Sequence, residues 1–204
     1  QTNLTEQVDT ADLSQEISIP FTDVDLNDIG HTATITKAAA SGVTTGLTLA
    51  EADLVNLISV DTVSKLAGNT NGSVTLTFTA SSTAVDYLAL DEVLTLTYTI
   101  EVNDNDLGTH TKDFVVTIKG TNDAPEVTAI DSTVTEDTAS YDLNLLDGTS
   151  DVDLSDTLSV TDDLYGAVDG NGDSVAIPVG TLSLTDNTLT VDPTQFNYLA
   201  VGEK

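Results

Sequence analysis

Alternation of apolar residues with threonine dominates two stretches of the chain. Val74-Thr75-Leu76-Thr77-Phe78-Thr79-Ala80 and Leu94-Thr95-Leu96-Thr97-Tyr98-Thr99-Ile100-Glu101-Val102 place every second side chain on one face, the period of a half-buried antiparallel strand. Phe114, Val116 and Ile118 resume this pattern beyond the polar loop Asn103-Asp104-Asn105-Asp106-Leu107-Gly108, which predicts a long hairpin over 93–119. Leu13, Ile17 and Ile19, then Ala33 and Ile35, predict two earlier strands. One segment departs from the period of two. Thr48-Leu49-Ala50-Glu51 has the form of a capping box, and Leu54, Leu57 and Ile58 follow at helical spacing, so a short helix is expected near 49–58.

The landmarks recur at a near-constant separation. Thr135-Glu136-Asp137 echoes Thr5-Glu6-Gln7, and Ser150-Asp151-Val152-Asp153-Leu154 echoes Thr22-Asp23-Val24-Asp25-Leu26, at offsets of 130 (Glu6 to Glu136) and 128 positions (Asp23 to Asp151). Self-similarity at a fixed period points to a tandem array. Gly120-Thr121-Asn122-Asp123-Ala124-Pro125 ends the first β-rich pattern and opens the second. Tyr198-Leu199 follows Tyr87-Leu88 by only 111 positions, so the second unit lacks the helical segment, and the sequence stops before any counterpart of 93–119. The expectation is a complete all-β antiparallel sandwich over 1–121, a linker over 122–125, and a second sandwich over 126–204 without its last hairpin. The open sheet edge of such a unit invites strand donation from another chain.

A length of 204 residues suits two domains of about a hundred each, a size at which a β-sandwich buries a workable core. The charge balance then narrows the class. Thirty-four acidic residues stand against Lys37, Lys65, Lys112, Lys119 and Lys204, with no arginine and a formal net charge of −29. Nucleic acid is not an expected partner, because phosphate binding needs clustered Lys or Arg, and the same charge balance disfavours an anionic membrane surface. Self-repulsion on this scale costs stability; acidity that only keeps a marine, halophilic or secreted protein soluble is one reading, and the clustering of aspartates at turns favours the other, neutralisation by divalent cations. Cysteine is absent, so neither disulfides nor thiolate metal sites hold the fold. No apolar run approaches the roughly 18 residues of a membrane span, and Gln1 begins nothing that resembles a signal peptide, so the chain reads as an internal slice of something larger. His31 and His110 are the only imidazoles, both in predicted turns as surface polar residues, and no nucleophile or metalloprotease motif accompanies them. No catalytic residue and no enzymatic activity are expected.

The run from Val85 to Asp104 (VDYLALDEVLTLTYTIEVND), followed by Phe114 to Pro125 (FVVTIKGTNDAP), resembles the bacterial cadherin-like repeats called VCBS domains, found in tandem in large Gram-negative biofilm adhesins of the repeats-in-toxin (RTX) type. The resemblance implies immunoglobulin-like sandwiches, type I secretion, an extracellular place on the cell surface, and an extender role in which neighbouring repeats are stiffened by Ca²⁺ so as to project a distal adhesive domain. On a seven-stranded sandwich of this kind Glu6 and the Asp91-Glu92 pair would share one pole with the linker residues Asn122 and Asp123 and with Asp151 and Asp153 of the next repeat. Asp23, Asp25 and Asp104 would form the matching half-site toward a preceding unit, and Glu136 and Glu203 one toward a following unit. Six or so oxygen donors suit Ca²⁺, which takes 6–8 oxygens in tolerant geometry. Leu90-Asp91-Glu92 lacks the spacer of the cadherin Leu-Asp-x-Glu element and the linker is poorer in acids, which implies fewer ions per boundary.

Two competing readings stay in view. Thr75, Thr77, Thr79 and Thr95, Thr97, Thr99 form outward rows that could bind a glycan or ice, although threonine is also an ordinary residue of a solvent-facing strand. Asp169-Gly170-Asn171-Gly172-Asp173 has the first three ligand spacings of a calcium loop but no glutamate at its twelfth position, which favours an Asn-Gly hairpin turn.

Overall fold

A computed structural model describes residues 1–6, 11–161 and 165–198 of the chain. Two compact units result, Gln1–Ala124 with Val152–Asp156, and Pro125–Asp151 with Thr157–Lys204. Residues 122–124 and the Val152–Asp156 turn thus belong to the first unit.

Unit 1 contains β1 (Thr2–Thr5), β2 (Leu13–Thr22), β3 (Thr32–Gly42), β4 (Ile58–Lys65), β5 (Asn71–Ala80), β6 (Val93–Asn103) and β7 (Thr109–Lys119). They form two sheets, in the orders β1-β7-β6-β3 and β2-β5-β4. Every pairing is antiparallel except that of β1 with β7, which is parallel from Thr2 opposite Val116 to Thr5 opposite Lys119. The alternating residues behave as their period requires. Val74, Leu76 and Phe78 of β5, Leu94, Leu96, Tyr98 and Ile100 of β6, and Phe114, Val116 and Ile118 of β7 are buried in one common core, while the intervening threonines are half-buried or exposed. Tyr98 and Phe114, directly opposite across β6 and β7, stack with ring centroids 5.3 Å apart. Each fully buried side chain of this size contributes about 1.5–3 kcal/mol.

The helix expected near 49–58 is not formed. Only Leu54–Leu57 is helical, as a single 3₁₀ turn, and Asp53 before it makes no side-chain cap, so Thr48 and Glu51 do not act as a capping box. The physical reason is length and packing. With three residues per turn, Leu54 and Leu57 fall on the same side and Leu54 enters the core, while Ile58 is already the inward first residue of β4. A longer helix would have withdrawn Ile58 from the sheet without a second apolar face to offset nucleation.

Unit 2 contains β8 (Glu126–Val127), β9 (Tyr141–Asn144), β10 (Thr149–Ser150), β11 (Ala167–Val168), β12 (Ser174–Val175), β13 (Leu182–Thr185) and β14 (Thr188–Val191). Its three-stranded sheet, β13-β14-β9, reproduces β4-β5-β2 of unit 1. Tyr141 lies opposite Val191 and Leu143 opposite Leu189, at the same offsets of 128 and 111 that relate them to Leu13 opposite Ala80 and Gln15 opposite Phe78. A 3₁₀ turn follows each central strand, Ser82–Ala84 after β5 and Pro193–Phe196 after β14. Among the described residues unit 2 holds no strand pair like β6–β7, and Pro193 is its one buried apolar side chain. The segment Asp169–Asp173 is a hairpin turn between β11 and β12, in which Asp169 Oδ1 accepts the amides of Asn171 and Asp173 at 2.8 and 3.0 Å and Gly172 takes a positive φ.

Candidate metal centre

Parallel pairing carries the chain from β1 directly to the Lys119 end of β7, where the Glu6 amide donates to the Lys119 carbonyl at 2.8 Å. The Glu6 carboxylate then turns over the start of the linker. Its Oε2 accepts the Thr121 amide at 2.9 Å and the Thr121 hydroxyl at 3.2 Å, and the residue is 2% exposed. Gly120 makes this crossing feasible. A Cβ there would lie 2.2 Å from the Leu88 carbonyl oxygen and 2.4 Å from that of Ala89, so only glycine lets the 88–92 turn lie against the linker.

Three further carboxylates belong to this end of unit 1. Asp86 follows the 3₁₀ turn, its amide donating to the Ser82 carbonyl at 3.0 Å. Asp123 is half-buried on the linker, and its amide donates to Asp153 Oδ2 at 2.8 Å. Asp153 is 1% exposed, and the next residue's amide, that of Leu154, reaches the Tyr87 carbonyl at 3.4 Å. Burial raises the pKa of Glu6, and the neighbouring charges of Asp123 and Asp86 add to it against the opposing Thr121 hydrogen bonds. Burial likewise raises that of Asp86, with Asp123 contributing. The charge of Asp123 thus bears on both Glu6 and Asp86, and Asp153 is tied to the same linker through the Asp123 amide, so four acidic residues from four segments gather at this end of unit 1.

The boundary set expected from the resemblance includes Glu6, Asp123 and Asp153 but not Asp86. The signal for it was its place beside the Tyr87-Leu88 landmark, where the second repeat has the oxygen donor Asn197. Other expected members are engaged elsewhere. Asp91 is exposed at a positive φ and forms an ion pair with Lys119 at 2.6 Å. Glu92 Oε2 accepts the Ala89 amide at 3.1 Å, closing its own turn. Asn122 is exposed and its side-chain amide donates to the Asp123 carbonyl. Asp151 is half-buried and belongs to unit 2, as does Glu136, half-buried in a turn closed by Thr138 and Thr135. Glu203 lies outside the described residues.

A second acidic group occupies the opposite end of unit 1, one β7 length away, about 36 Å for eleven residues. Asp23, Asp25 and Asp28 bring carboxylate oxygens within 4.8 Å of one another. The Asp25 amide on Asp23 Oδ1 lowers the Asp23 pKa, assisted by His31 and Lys65, whereas burial and the charges of Asp106, Asp23, Asp25 and Asp104 raise that of Asp28. Asp104 spends Oδ1 on the amides of Asp106 and Gly108, holding its own loop. Asp28 therefore takes the third position that the sequence assigned to Asp104. His31 is a correction. It is not a surface residue but is 8% exposed, packs on Phe21 with ring centroids 5.0 Å apart, and bonds Asp23 Oδ2 through Nε2 at 2.8 Å. Buried Lys65 ties the same loop through the carbonyls of Asp25 and Asp28 at 2.6 and 2.8 Å.

No helix among the described residues is long and apolar enough to cross a membrane. The chain matches no family model and no curated protein.

Proposed function

We propose that the chain is an extender segment of a secreted cell-surface adhesin, built from tandem cadherin-like repeats and stiffened by Ca²⁺. The observation that carries this reading is the convergence of Glu6, Asp86, Asp123 and Asp153 on the linker that joins one repeat to the next. The finer fold assignment draws support from the strand order β1-β7-β6-β3 against β2-β5-β4, with β1 parallel to β7 and the repeat of the three-stranded sheet in unit 2. A cation held by these carboxylates fixes the path of Thr121–Asp123 and relieves the repulsion among buried acids. Without the ion the same residues favour a looser segment, so the chain stiffens on reaching calcium outside the cell. Export, adhesion to a surface and the absence of catalysis belong to this proposal. The glycan or ice reading has less support, because its two threonine rows stand on β5 and β6, in different sheets, and the Thr77 and Thr99 hydroxyls donate to Asp61 and Asp113 at 2.7 Å.

Calorimetry in EDTA and then in Ca²⁺ tests the reading. Extracellular calcium modules have dissociation constants of order 10⁻⁴–10⁻³ M. A tenfold excess over that value stabilises by about 1.4 kcal/mol per site, and Glu6→Gln with Asp86→Asn should abolish most of the gain while Asp91→Asn keeps it. An unchanged melting temperature on adding Ca²⁺ would remove the proposal.

A further inference from the structure

Unit 1 has an open slot of about 590 Å³ at its Asp104 end, between the edge of β2 and the first half of β7. Ile19, Phe21, Ile100 and Val102 supply its apolar wall, with His110 and Lys112 along one side. Among the described residues no strand covers it. β1 pairs only with Val116–Lys119, leaving Thr109–Val115 free on that side, and β2 is the outer strand of its sheet. The alternation of β7 marks the same stretch. Phe114, Val116 and Ile118 point into the core, and the next two positions of that phase are Lys112 and His110, both exposed.

In the second repeat the counterpart of this end of β2 has a strand partner. There Glu126–Val127 (β8) pairs antiparallel with Thr149–Ser150, and the Thr128 amide donates to the Gly148 carbonyl at 3.0 Å. At the 128-residue offset these partners correspond to Pro20, Phe21 and Thr22. Proline at the first of them is compatible, since Gly148 offers its carbonyl and proline loses only the amide. In unit 1 the inner edge of Phe21–Thr22 is taken by Gly72 and Asn71 of β5, so only the outer edge, on the slot, can receive a strand.

We infer that this slot is a strand-docking site for an extended segment of the Pro125–Ile130 type, an apolar stretch carrying one carboxylate, joined ahead of β1. The reach is right. From Val116 back to His110 is six residues, about 20 Å of extended chain, and at the 130-residue offset the Glu126–Val127 pair would fall five to six residues before Thr2. The charge is complementary as well. On a chain of net charge −29, Lys112 places a cationic group and His110 a polar imidazole where the Glu126-type carboxylate would lie, although Asp23 and Asp104 also line the slot. Backbone pairing supplies the affinity and the apolar wall the selectivity, as in β-augmentation.

The test joins a second copy of residues 121–130 directly before Gln1 of the full chain and compares it with a Gly-Ser extension of equal length. Consecutive strand amides face opposite sides, so one of Phe21 and Thr22 donates into the slot, and its hydrogen exchange should slow by about tenfold or more with the repeat extension alone. Lys112→Glu should weaken that protection in the repeat-extended chain. Equal exchange with both extensions overturns the inference. Protection that disappears on dilution as a dimer dissociates also overturns it, assigning the slot to a second copy, and protection indifferent to Lys112→Glu removes the charge selectivity.

Discussion

Asp153 holds the place in its turn that Asp25 holds 128 residues earlier, yet Asp153 is 1% exposed and Asp25 is open to solvent. The two turns are otherwise alike, the Asp156 amide reaching the Asp153 carbonyl at 3.0 Å as the Asp28 amide reaches that of Asp25 at 3.2 Å. The difference lies in the linker. Asp153 receives the Asp123 amide, and it is this contact that draws a surface aspartate into a buried acidic group.

The buried acids fix the direction of the pH response. Glu6 and Asp86 have folded pKa values raised above the ordinary 4.5 and 3.8, so their ionised forms oppose folding. That penalty is full above the raised values and fades as pH falls through them. In EDTA the melting temperature should therefore rise on moderate acidification from neutral pH, and Glu6→Gln should flatten the rise. Asp23 works in the opposite sense, but with its folded pKa below 3.8 its stabilisation is lost only at still lower pH. A melting temperature that falls steadily from pH 7 would contradict the assignment.

Gly120→Ala tests the crossing of the linker over the 88–92 turn. Its Cβ would stand 2.2 Å from a backbone oxygen that cannot swing away as a side chain can. A loss of about 3 kcal/mol in urea unfolding is expected, at the upper end for overpacking. A loss below 0.5 kcal/mol, the range of an ordinary surface change, would show that the turn is not so closely seated.

The Tyr98 hydroxyl is buried in the core with no hydrogen-bond partner among the described residues, and burial raises its pKa strongly. Tyr98→Phe removes the unsatisfied group and keeps the stack on Phe114. Stability should be unchanged or higher by about 1 kcal/mol, where most core substitutions would lower it. Denaturant melts of the two proteins decide the sign.

Lys65→Met should cost about 2–3 kcal/mol, because it removes charged hydrogen bonds to two backbone carbonyls that have no other donor of that strength. Amide exchange in residues 23–29 should quicken more than in β5. Equal change in both segments would mean that Lys65 stabilises unit 1 as a whole and not the acidic loop.

Local pattern was enough to reveal most of what lies along the strands. β2, β3, β5, β6 and β7 follow from alternation, because one face of each sheet must be apolar, and the two repeats follow from offsets that the strand registers reproduce. β4 escaped because its alternation breaks at the irregularity between Val60 and Thr62, and Leu54, Leu57 and Ile58 mimicked a helix only because a 3₁₀ turn runs straight into a strand. The sequence placed Glu6 at one pole of unit 1, Asp123 on the linker and Asp153 at the facing pole of the second repeat, whereas the Val152–Asp156 turn belongs with unit 1. Tertiary structure decided the rest. Asp86 joins them, Asp91 leaves for Lys119, and His31 is buried against Phe21, because which carboxylate or imidazole loses its water depends on side-chain direction and on the backbone crossing at Gly120, neither of which has a period to read.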